Sequence, residues 1–288
     1  MTRIYDRQTK KISIENQYKE NILNYIYNNI CGRILLKIWF SLPIYSKIVA
    51  RSKKSKKSIK DIEPFIQKHN IKIEQFEDKK YISFNDFFIR KYKKQYLNID
   101  SKKNSLIAPA ESKLLVYKIE KDLKIKIKSS IYDLYEIVKE NNIETTFMDG
   151  YILIFRLAVT DYHRYIFIDN GKIIKSQKIK GKLHTVSSIS DKYKIYKENT
   201  REVNYIDYSN LGKTIQIEVG AMQVGKIVNN KKEVFEKGEE KGYFEYGGST
   251  IILIIKKDKV EIDSDILENS KLEVETKIRL GERIGKIK

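Results

Sequence analysis

Three residues in the stretch YGGSTIILII could carry chemistry: Gly247, Gly248 and Ser249, which precede a run of apolar residues. A serine hydroxyl can attack a carbonyl carbon when a nearby base removes its proton. A histidine, His163, follows the apolar run YILIFRLAV, and an acid, Glu111, stands in the segment APAES. The two glycines are also typical of a turn that leads into a buried strand. A serine, a histidine and an acid spread along a chain do not by themselves predict a catalytic site.

The elements that must position these residues are short strand-like runs, which begin near residue 105. They include KLLVYKI, KIKIK, YILIFRLAV, TIQIEV and STIILII, and glycine or polar turns separate them. Helical spacing is scarce in this part of the chain and is clearest in IYDLYEIVKEN. The sequence therefore predicts an α+β protein whose residues 105–288 form a β-rich, sandwich-like or barrel-like domain with one or two helices.

The N-terminal region has a different character. Residues 15–50 show the apolar spacing of amphipathic helices, and Pro43 should end or kink one of them. Trp39, Phe40 and Tyr45 stand beside cationic residues, as in a segment that lies in the bilayer interface. An ordinary amphipathic helix packed on the protein would give the same pattern. We expect no signal peptide, because the first residues are polar. We expect no spanning helix, because that needs roughly 18 uninterrupted apolar residues.

The charge of the chain favours polyanionic partners. It has 57 lysines and arginines against 38 aspartates and glutamates, a formal net charge of +19. The run RSKKSKKSIK, residues 51–60, adjoins the apolar N-terminal segment, which favours contact with anionic lipid, although a solvated linker would have the same composition. No nucleic-acid recognition motif accompanies the charge, so we expect no nucleic-acid partner.

The number of thiol and imidazole groups is small. Cys31 is the only cysteine, which excludes an intrachain disulfide and fits a reducing cytoplasm. The histidines are His69, His163 and His184. Zinc sites are built mainly from cysteine and histidine ligands, so we predict no metal site.

Several segments taken together resemble the phosphatidylserine decarboxylase proenzymes. They are FNDFFIRKYK, APAESKLLVY, FRLAVTDYHRY, GKLHTVSSIS, YKENTREV, IEVGAMQVGKI and KGEEKGYFEYGGSTIILI, in the family's order over roughly residues 80–260. The last two segments are the most specific. Residues 1–60 also look like the basic, amphipathic membrane-associating region of this family. Residues 61–104 would then be a helical connecting region, and residues 105–288 the catalytic domain.

The resemblance implies that the chain cleaves itself between Gly248 and Ser249. Ser249 would attack the carbonyl group of Gly248, and elimination and hydrolysis would leave a covalent pyruvoyl group derived from Ser249. The products would be a β chain, residues 1–248, and an α chain, residues 249–288, held together as a heterodimer. A pyruvoyl group is an electron sink. The implied activity is that of a carboxy-lyase, which converts phosphatidylserine to phosphatidylethanolamine and carbon dioxide.

The resemblance also implies partners and a location. The partners would be phosphatidylserine and an anionic membrane surface, with a homo-oligomer as a further possibility. The location would be the cytoplasmic face of the cell membrane, as a peripheral protein. Two alternatives stay open at this point: a non-catalytic lipid-binding homologue with an inactive processing site, and a pyruvoyl-dependent decarboxylase of a soluble amino acid. The intact GGST segment argues against the first and the N-terminal region against the second.

Two positions depart from the family pattern. The family has aspartate where this chain has Glu111, and the added methylene moves the carboxylate by about 1.5 Å. The family's D-Y-H-x-x-H pattern ends at Ile166 in this chain, so only His163 remains of a pair that divides self-cleavage and decarboxylation. The resemblance implies that Ser249, His163 and Glu111 are catalytic. Either His163 serves both steps, or His184 takes the vacant catalytic role, which is the alternative that we favour.

Overall fold

The computed structural model describes residues 2–15, 20–120, 124–127, 130–140, 145–185, 195–221 and 226–288. Within these residues the strands are β1 (Thr2–Asp6), β2 (Lys11–Glu15), β3 (Ser105–Ile107), β4 (Ser112–Lys118), β5 (Lys124–Ile127), β6 (Ser130–Asp133), β7 (Tyr151–Leu157), β8 (Arg164–Ile166), β9 (Gly171–Ile179), β10 (Arg201–Tyr208), β11 (Gly212–Gly220), β12 (Ile227–Asn229), β13 (Val234–Phe235), β14 (Glu240–Phe244), β15 (Ser249–Ile255), β16 (Val260–Ile262), β17 (Glu275–Ile278) and β18 (Arg283–Ile287).

The helices of the described residues are α1 (Glu20–Asn28), α2 (Ile30–Leu35), α3 (Pro43–Lys54), α4 (Ile62–His69), α5 (Phe84–Phe88), α6 (Leu134–Val138), α7 (Ile195–Glu198) and α8 (Ser264–Lys271). A π-helical turn, Leu36–Phe40, joins α2 to the loop before α3, where Pro43 occupies the first helical position. Short 3₁₀ turns occur at Lys56–Asp61, Ile73–Gln75, Lys94–Tyr96 and Thr145–Phe147. The prediction of an α+β protein rich in strands is confirmed.

A ten-stranded sheet organises the molecule, in the order β13-β9-β10-β11-β15-β7-β4-β17-β1-β2. Strand β15 lies in its interior and pairs antiparallel with β11 on one side and β7 on the other. Two three-stranded sheets, β12-β14-β8 and β16-β18-β3, and the β5-β6 hairpin complete the strand pairing. The apolar run STIILII is therefore an interior strand, which explains why it lacks polar alternation.

Apolar side chains cover both faces of the large sheet. On one face, Ile251 and Leu253 of β15 pack with residues of the two small sheets, such as Leu106 and Phe244, which gives a sandwich. On the other face, Ile252 of β15 packs with residues of the β5-β6 hairpin and of α6 and α7. This alternation follows from the period of two residues in a strand. It places neighbouring side chains of β15 in two different cores.

The N-terminal region begins with a β-hairpin, which was not predicted and which precedes the helices predicted for residues 15–50. Strand β1 pairs antiparallel with β2 and parallel with β17 near the end of the chain, where Ile4 lies opposite Glu275. The alternating pattern in KISIE is a strand signal, but only five residues carry it and the strand is mostly exposed. The predicted helical character does appear in α1 to α3, which follow the hairpin. None of the described helices is long and apolar enough to cross a membrane.

Candidate active site

Ser249 is the first residue of β15, so the bond between Gly248 and Ser249 lies where a loop enters an interior strand. The backbone of Ser249 pairs with Gly220 of β11 and with Leu157 of β7. Its side chain is completely buried. Pairing on both sides fixes the position of the hydroxyl group, and burial shields it from bulk water.

The loop before Ser249 is anchored at Glu245 and Tyr246, and two glycines separate these anchors from the strand; the backbone nitrogen of Glu245 donates to Lys226 O at 2.9 Å. The backbone nitrogen of Tyr246 donates a hydrogen bond to Asn85 Oδ1 at 2.9 Å. Gly247 has a φ of 136°, which residues with a Cβ rarely adopt. Gly248 follows as a second permissive residue. The sequence therefore places conformational freedom directly beside the Gly248–Ser249 bond.

His163 directs its two ring nitrogens to two different groups. Nδ1 lies 3.4 Å from Ser249 Oγ, and Nε2 lies 2.9 Å from the carbonyl oxygen of Ala158. Because a carbonyl oxygen can only accept, we infer that Nε2 carries the proton and that Nδ1 is an acceptor. Burial lowers the pKa of His163 to about 3, so the ring is neutral near pH 7. This is the arrangement of a general base for the Ser249 hydroxyl.

A tight turn presents the Ala158 carbonyl to His163. The backbone nitrogen of Asp161 donates to Ala158 O at 3.0 Å, and Asp161 Oδ2 accepts from the backbone nitrogen of Ala158 at 2.7 Å. Lys113 Nζ lies 2.6 and 2.7 Å from the two carboxylate oxygens of Asp161, and both side chains are buried. Sequence reasoning did not assign a role to either residue. The position of Asp161 in DYHR, two residues before the histidine, was a signal for one of them.

Glu111, the acid predicted from sequence, lies near this turn. Its Oε2 accepts a hydrogen bond from the Tyr92 hydroxyl at 2.9 Å. Burial, with a smaller contribution from the Asp161 carboxylate, raises the pKa of Glu111. Within the described part of the chain no hydrogen bond connects Glu111 to His163, whose Nε2 faces Ala158 instead. The orientation of the imidazole therefore depends directly on the turn that Asp161 stabilises.

The position of the second family histidine is apolar in this fold. Ile166 is 5% exposed and belongs to the core of the sandwich. Its backbone nitrogen donates to Pro109 O at 2.9 Å, which ties β8 to the segment that carries Glu111. Ile166 thus contributes packing where the family pattern has an imidazole.

His184 lies against the N-terminal helices. Its Nδ1 is 3.5 Å from the hydroxyl of Tyr27 in α1, and its Nε2 is 3.7 Å from Glu198 Oε2. Asn199 Oδ1 accepts from the backbone nitrogen of His184 at 3.0 Å. Burial lowers the pKa of His184 to about 4, and the Glu198 carboxylate partly opposes this shift. The structure brings Ser249 and His163 together and places His184 in a different environment.

A buried ion pair lies two residues along the strand ladder from Ser249. Lys241 Nζ is 2.9 Å from Glu218 Oε1, and neither side chain has any exposed surface. Glu218 also accepts from Asn204 Nδ2 at 2.7 Å, from Gln216 Nε2 at 2.9 Å and from Asn229 Nδ2 at 3.2 Å. The pair joins β11 to β14. It explains in physical terms why a glutamate and a lysine stand in the segments IEVGAMQVGKI and KGEEKGYFEYGGSTIILI, a connection that sequence reasoning missed.

A second buried charge cluster lies on the opposite face of the sheet. Arg156 of β7 bonds to Glu275 of β17, with Nη2 2.6 Å from Oε2, and to Glu15 of β2, also at 2.6 Å. Lys113 Nζ lies 3.5 Å from Glu15 Oε1. The cluster joins residues from both sides of the Gly248–Ser249 bond. Among the described residues, no group of histidine, cysteine, aspartate or glutamate side chains is arranged to hold a metal ion.

Comparison with known proteins identifies the family. The family model described as phosphatidylserine decarboxylase matches residues 84–286. Phosphatidylserine decarboxylase proenzyme 2 of Clostridium acetobutylicum is 50% identical over 283 residues, which cover 98% of this chain and 97% of the relative. The proenzyme of Clostridium tetani is 40% identical over 296 residues, covering 99% and 98%, and that of Clostridium botulinum is 38% identical over 294 residues, covering 99% of each. The chain therefore belongs to the phosphatidylserine decarboxylase family.

Proposed function

We propose that the chain cleaves itself between Gly248 and Ser249, and that the pyruvoyl group formed from Ser249 then serves to decarboxylate phosphatidylserine to phosphatidylethanolamine. The observation that carries this proposal is the contact of 3.4 Å between His163 Nδ1 and Ser249 Oγ at the first residue of β15. The relatives with full-length similarity are named phosphatidylserine decarboxylase proenzymes, which supports both the processing and the substrate.

In the proposed cleavage, His163 Nδ1 removes the proton from Ser249 Oγ, and this oxygen attacks the carbonyl carbon of Gly248. The C–N bond of the amide breaks, a C–O ester bond forms, and the proton passes to the released nitrogen of residue 249. Removal of the Cα proton of residue 249 then breaks its Cβ–O bond, and Gly248 leaves as a carboxylate. Tautomerisation and hydrolysis release ammonia and leave a keto group at residue 249.

The surroundings of residue 249 suit a reactive keto group. The position is fully buried, which shields such a group from bulk water. When present, the pyruvoyl group supplies an electron sink for the electron pair that remains after carbon dioxide leaves. His163 Nδ1 lies within reach of this position; it takes a proton from the ammonium group of the incoming substrate and returns it to the carbon atom that has lost the carboxylate.

His163 serves both steps in this proposal, because it is the imidazole that faces Ser249. Glu111 lies beside the Asp161 carboxylate in this buried region, and burial together with that neighbouring carboxylate raises the pKa of Glu111. Asp161, bonded to Lys113, holds the turn before His163. His184 has a structural role next to Tyr27. A His184→Ala variant should therefore cleave itself and decarboxylate at close to the wild-type rate.

The two product chains stay together through strand pairing and buried charges. The α chain, residues 249–288, contributes β15 between β11 and β7, and β17 between β4 and β1. Glu275 of the α chain bonds to Arg156 of the β chain, residues 1–248. Separation of the chains would break the four ladders that these two strands form and leave Arg156 without this buried partner, so the heterodimer is the expected product.

An N-terminal apolar surface is the proposed contact with the membrane. Its exposed side chains are those of Ile22, Tyr25, Ile30, Ile34, Leu35, Ile38, Trp39, Leu42, Ile44 and Ile48. Exposed Arg33, Lys37, Lys47 and Arg51 lie among them in sequence. Apolar side chains interspersed with cations fit the interface of an anionic phospholipid bilayer, with the protein bound peripherally at the cytoplasmic face.

Vesicle binding tests this surface. The double variant Ile34→Glu, Ile38→Glu should lose most of its binding to vesicles that contain phosphatidylglycerol. The matched control is Val234→Glu, because Val234 is 71% exposed and lies on β13, outside this surface. Wild-type binding should fall as salt is raised, since the lipid charges are screened. Unchanged binding of the double variant would refute the assignment of the surface.

Denaturing electrophoresis and mass spectrometry test the proposed function. The wild-type chain should lose its 34.0 kDa band and release a fragment that begins with a pyruvoyl group at position 249. It should also release labelled carbon dioxide from phosphatidylserine labelled in the serine carboxylate. Ser249→Ala should abolish both results, whereas Ser112→Ala, another buried serine, should change neither. A folded wild-type chain that stays intact would refute the proposal and leave lipid binding without catalysis.

A further inference from the structure

Helix α5 contacts both sides of the proposed cleavage site. Its Asn85 bonds to the loop that precedes Ser249, with Oδ1 2.9 Å from the backbone nitrogen of Tyr246. Its Phe88 packs on the imidazole of His163, with ring centroids 4.2 Å apart and ring planes inclined by 30°. Residues three apart lie on the same face of a helix, so one short element holds the loop and the base together.

The helix is itself fixed at both ends. At its start, Ser83 Oγ accepts from the backbone nitrogen of Asp86 at 3.1 Å, and Asp86 Oδ2 accepts from the backbone nitrogen of Ile82 at 3.1 Å. At its end, Arg164 Nε donates to Ile89 O at 2.9 Å and to the carbonyl of the next residue at 3.2 Å. Arg164 directly follows His163, so the end of α5 is tied to the strand that carries the base.

The loop is short between Tyr246 and Ser249, the two residues at which it is held. Tyr246 is bonded to Asn85, Ser249 is the first residue of a strand paired on both sides, and only Gly247 and Gly248 lie between them. The position of the Gly248 carbonyl relative to Ser249 Oγ therefore depends on where Tyr246 is held. Loss of the Asn85 anchor would leave the two glycines free to adopt many conformations, most of which misplace that carbonyl.

We propose that Asn85 is a positioning residue for the self-cleavage: its carboxamide oxygen holds the amide of Tyr246 and so places the Gly248 carbonyl for attack by Ser249. This inference rests on the proposed function. Asn85 does not touch the reacting atoms, and it acts through Tyr246. The two-residue spacing between anchor and nucleophile and the stacking of Phe88 on His163 both support the assignment.

The test compares three variants by the rate at which the newly made precursor is cleaved. Asn85→Leu has a similar size and no acceptor, so cleavage should slow roughly 5- to 150-fold, the effect of leaving a buried N–H unpaired. Asn85→Asp keeps an acceptor oxygen and should cleave within about threefold of wild type. Ser105→Ala is the matched control. It removes one side-chain hydrogen bond, from Ser105 Oγ to Asp100 Oδ2 at 3.0 Å, outside both α5 and the loop, so it should lower the unfolding temperature and leave the cleavage rate unchanged at temperatures well below unfolding.

Hydroxylamine identifies the step that fails, because it cleaves an ester and leaves an amide intact. The Asn85→Leu precursor should resist hydroxylamine, since the ester has not formed. The inference is overturned if Asn85→Leu cleaves at the wild-type rate, if Asn85→Asp is as slow as Asn85→Leu, if Ser105→Ala slows cleavage equally, or if hydroxylamine releases the α chain from Asn85→Leu. Should Asn85→Leu not fold, Asn85→Ala takes its place against Asn85→Asp with the same criteria. Failure of the wild-type chain to cleave would refute the proposed function instead, before any variant is compared.

Discussion

Replacement of Lys241 by methionine should destabilise the protein strongly, because it removes the positive partner of a completely buried carboxylate. Lys241 Nζ is 2.9 Å from Glu218 Oε1, and both side chains have 0% exposure. Breaking a buried pair by removing one partner costs about 3–5 kcal/mol. Glu218 keeps amide donors from Asn204, Gln216 and Asn229, which places the expected loss near the lower end, at about 3 kcal/mol. For a chain of this size such a loss lowers the unfolding temperature by roughly 6–12 °C.

Thermal unfolding should be measured in the Ser249→Ala background, in which the chain is not cut and no fragment can dissociate. Adding Glu218→Gln to Lys241→Met removes the unpaired charge and should restore at least half of the lost stability. Lys277→Met is the matched control, since Lys277 pairs with Asp6 at an exposed site and should change stability by less than about 1 kcal/mol. The reasoning is refuted if Lys241→Met behaves like Lys277→Met, or if the double variant is no more stable than Lys241→Met alone.

Three further results are expected. His163→Gln should slow self-cleavage by roughly 100-fold or more, the usual contribution of a general base, as followed by persistence of the 34.0 kDa band; cleavage at the wild-type rate would exclude His163 as the base. Because burial holds the pKa of His163 at about 3, the cleavage rate should show no inflection near pH 6.5. An inflection in the cleavage rate near pH 6.5 would contradict the lowered pKa of His163. The free energy of unfolding should also fall as the pH drops from about 6.5 towards 3, since in that range His163 takes up a proton in the unfolded chain and not in the folded one. Arg7→Met should lower the temperature at which the α chain is released after cleavage by a few degrees, because Arg7 bonds to Asp263, Asp265 and Glu282, all in the α chain.

Ser249 and His163, the proposed reacting pair, could be picked out from sequence, but the residues that hold them in contact could not. Ser249 and His163 stand in contiguous segments whose residue types suggest chemistry directly. The carbonyl that orients His163 belongs to Ala158, and a backbone carbonyl leaves no signature in a sequence. Lys113 reaches Asp161 because β4 lies beside β7 in the sheet, and strand order is set by packing across the whole domain.

Contacts between distant segments account for the rest of what was missed. The bond from Asn85 to Tyr246 spans 161 residues, and neither side chain has an unusual type for a buried position beside a loop. The helical content of the N-terminal region was predictable from apolar spacing. The β1-β2 hairpin was not, because its stability comes from pairing with β17, at the far end of the chain.

The place of β17 between β4 and β1 links the proposed cleavage to the folding of the whole sheet. Two strands inside the large sheet, β15 and β17, follow the proposed cleavage site in the sequence. Ser249 is held at the entry to β15 by pairing on both sides, so the proposed scission would take place after these strands have joined the sheet. The α chain would then be paired with the β chain before it becomes a separate molecule, and adding it later as a free peptide would require the finished sheet to open.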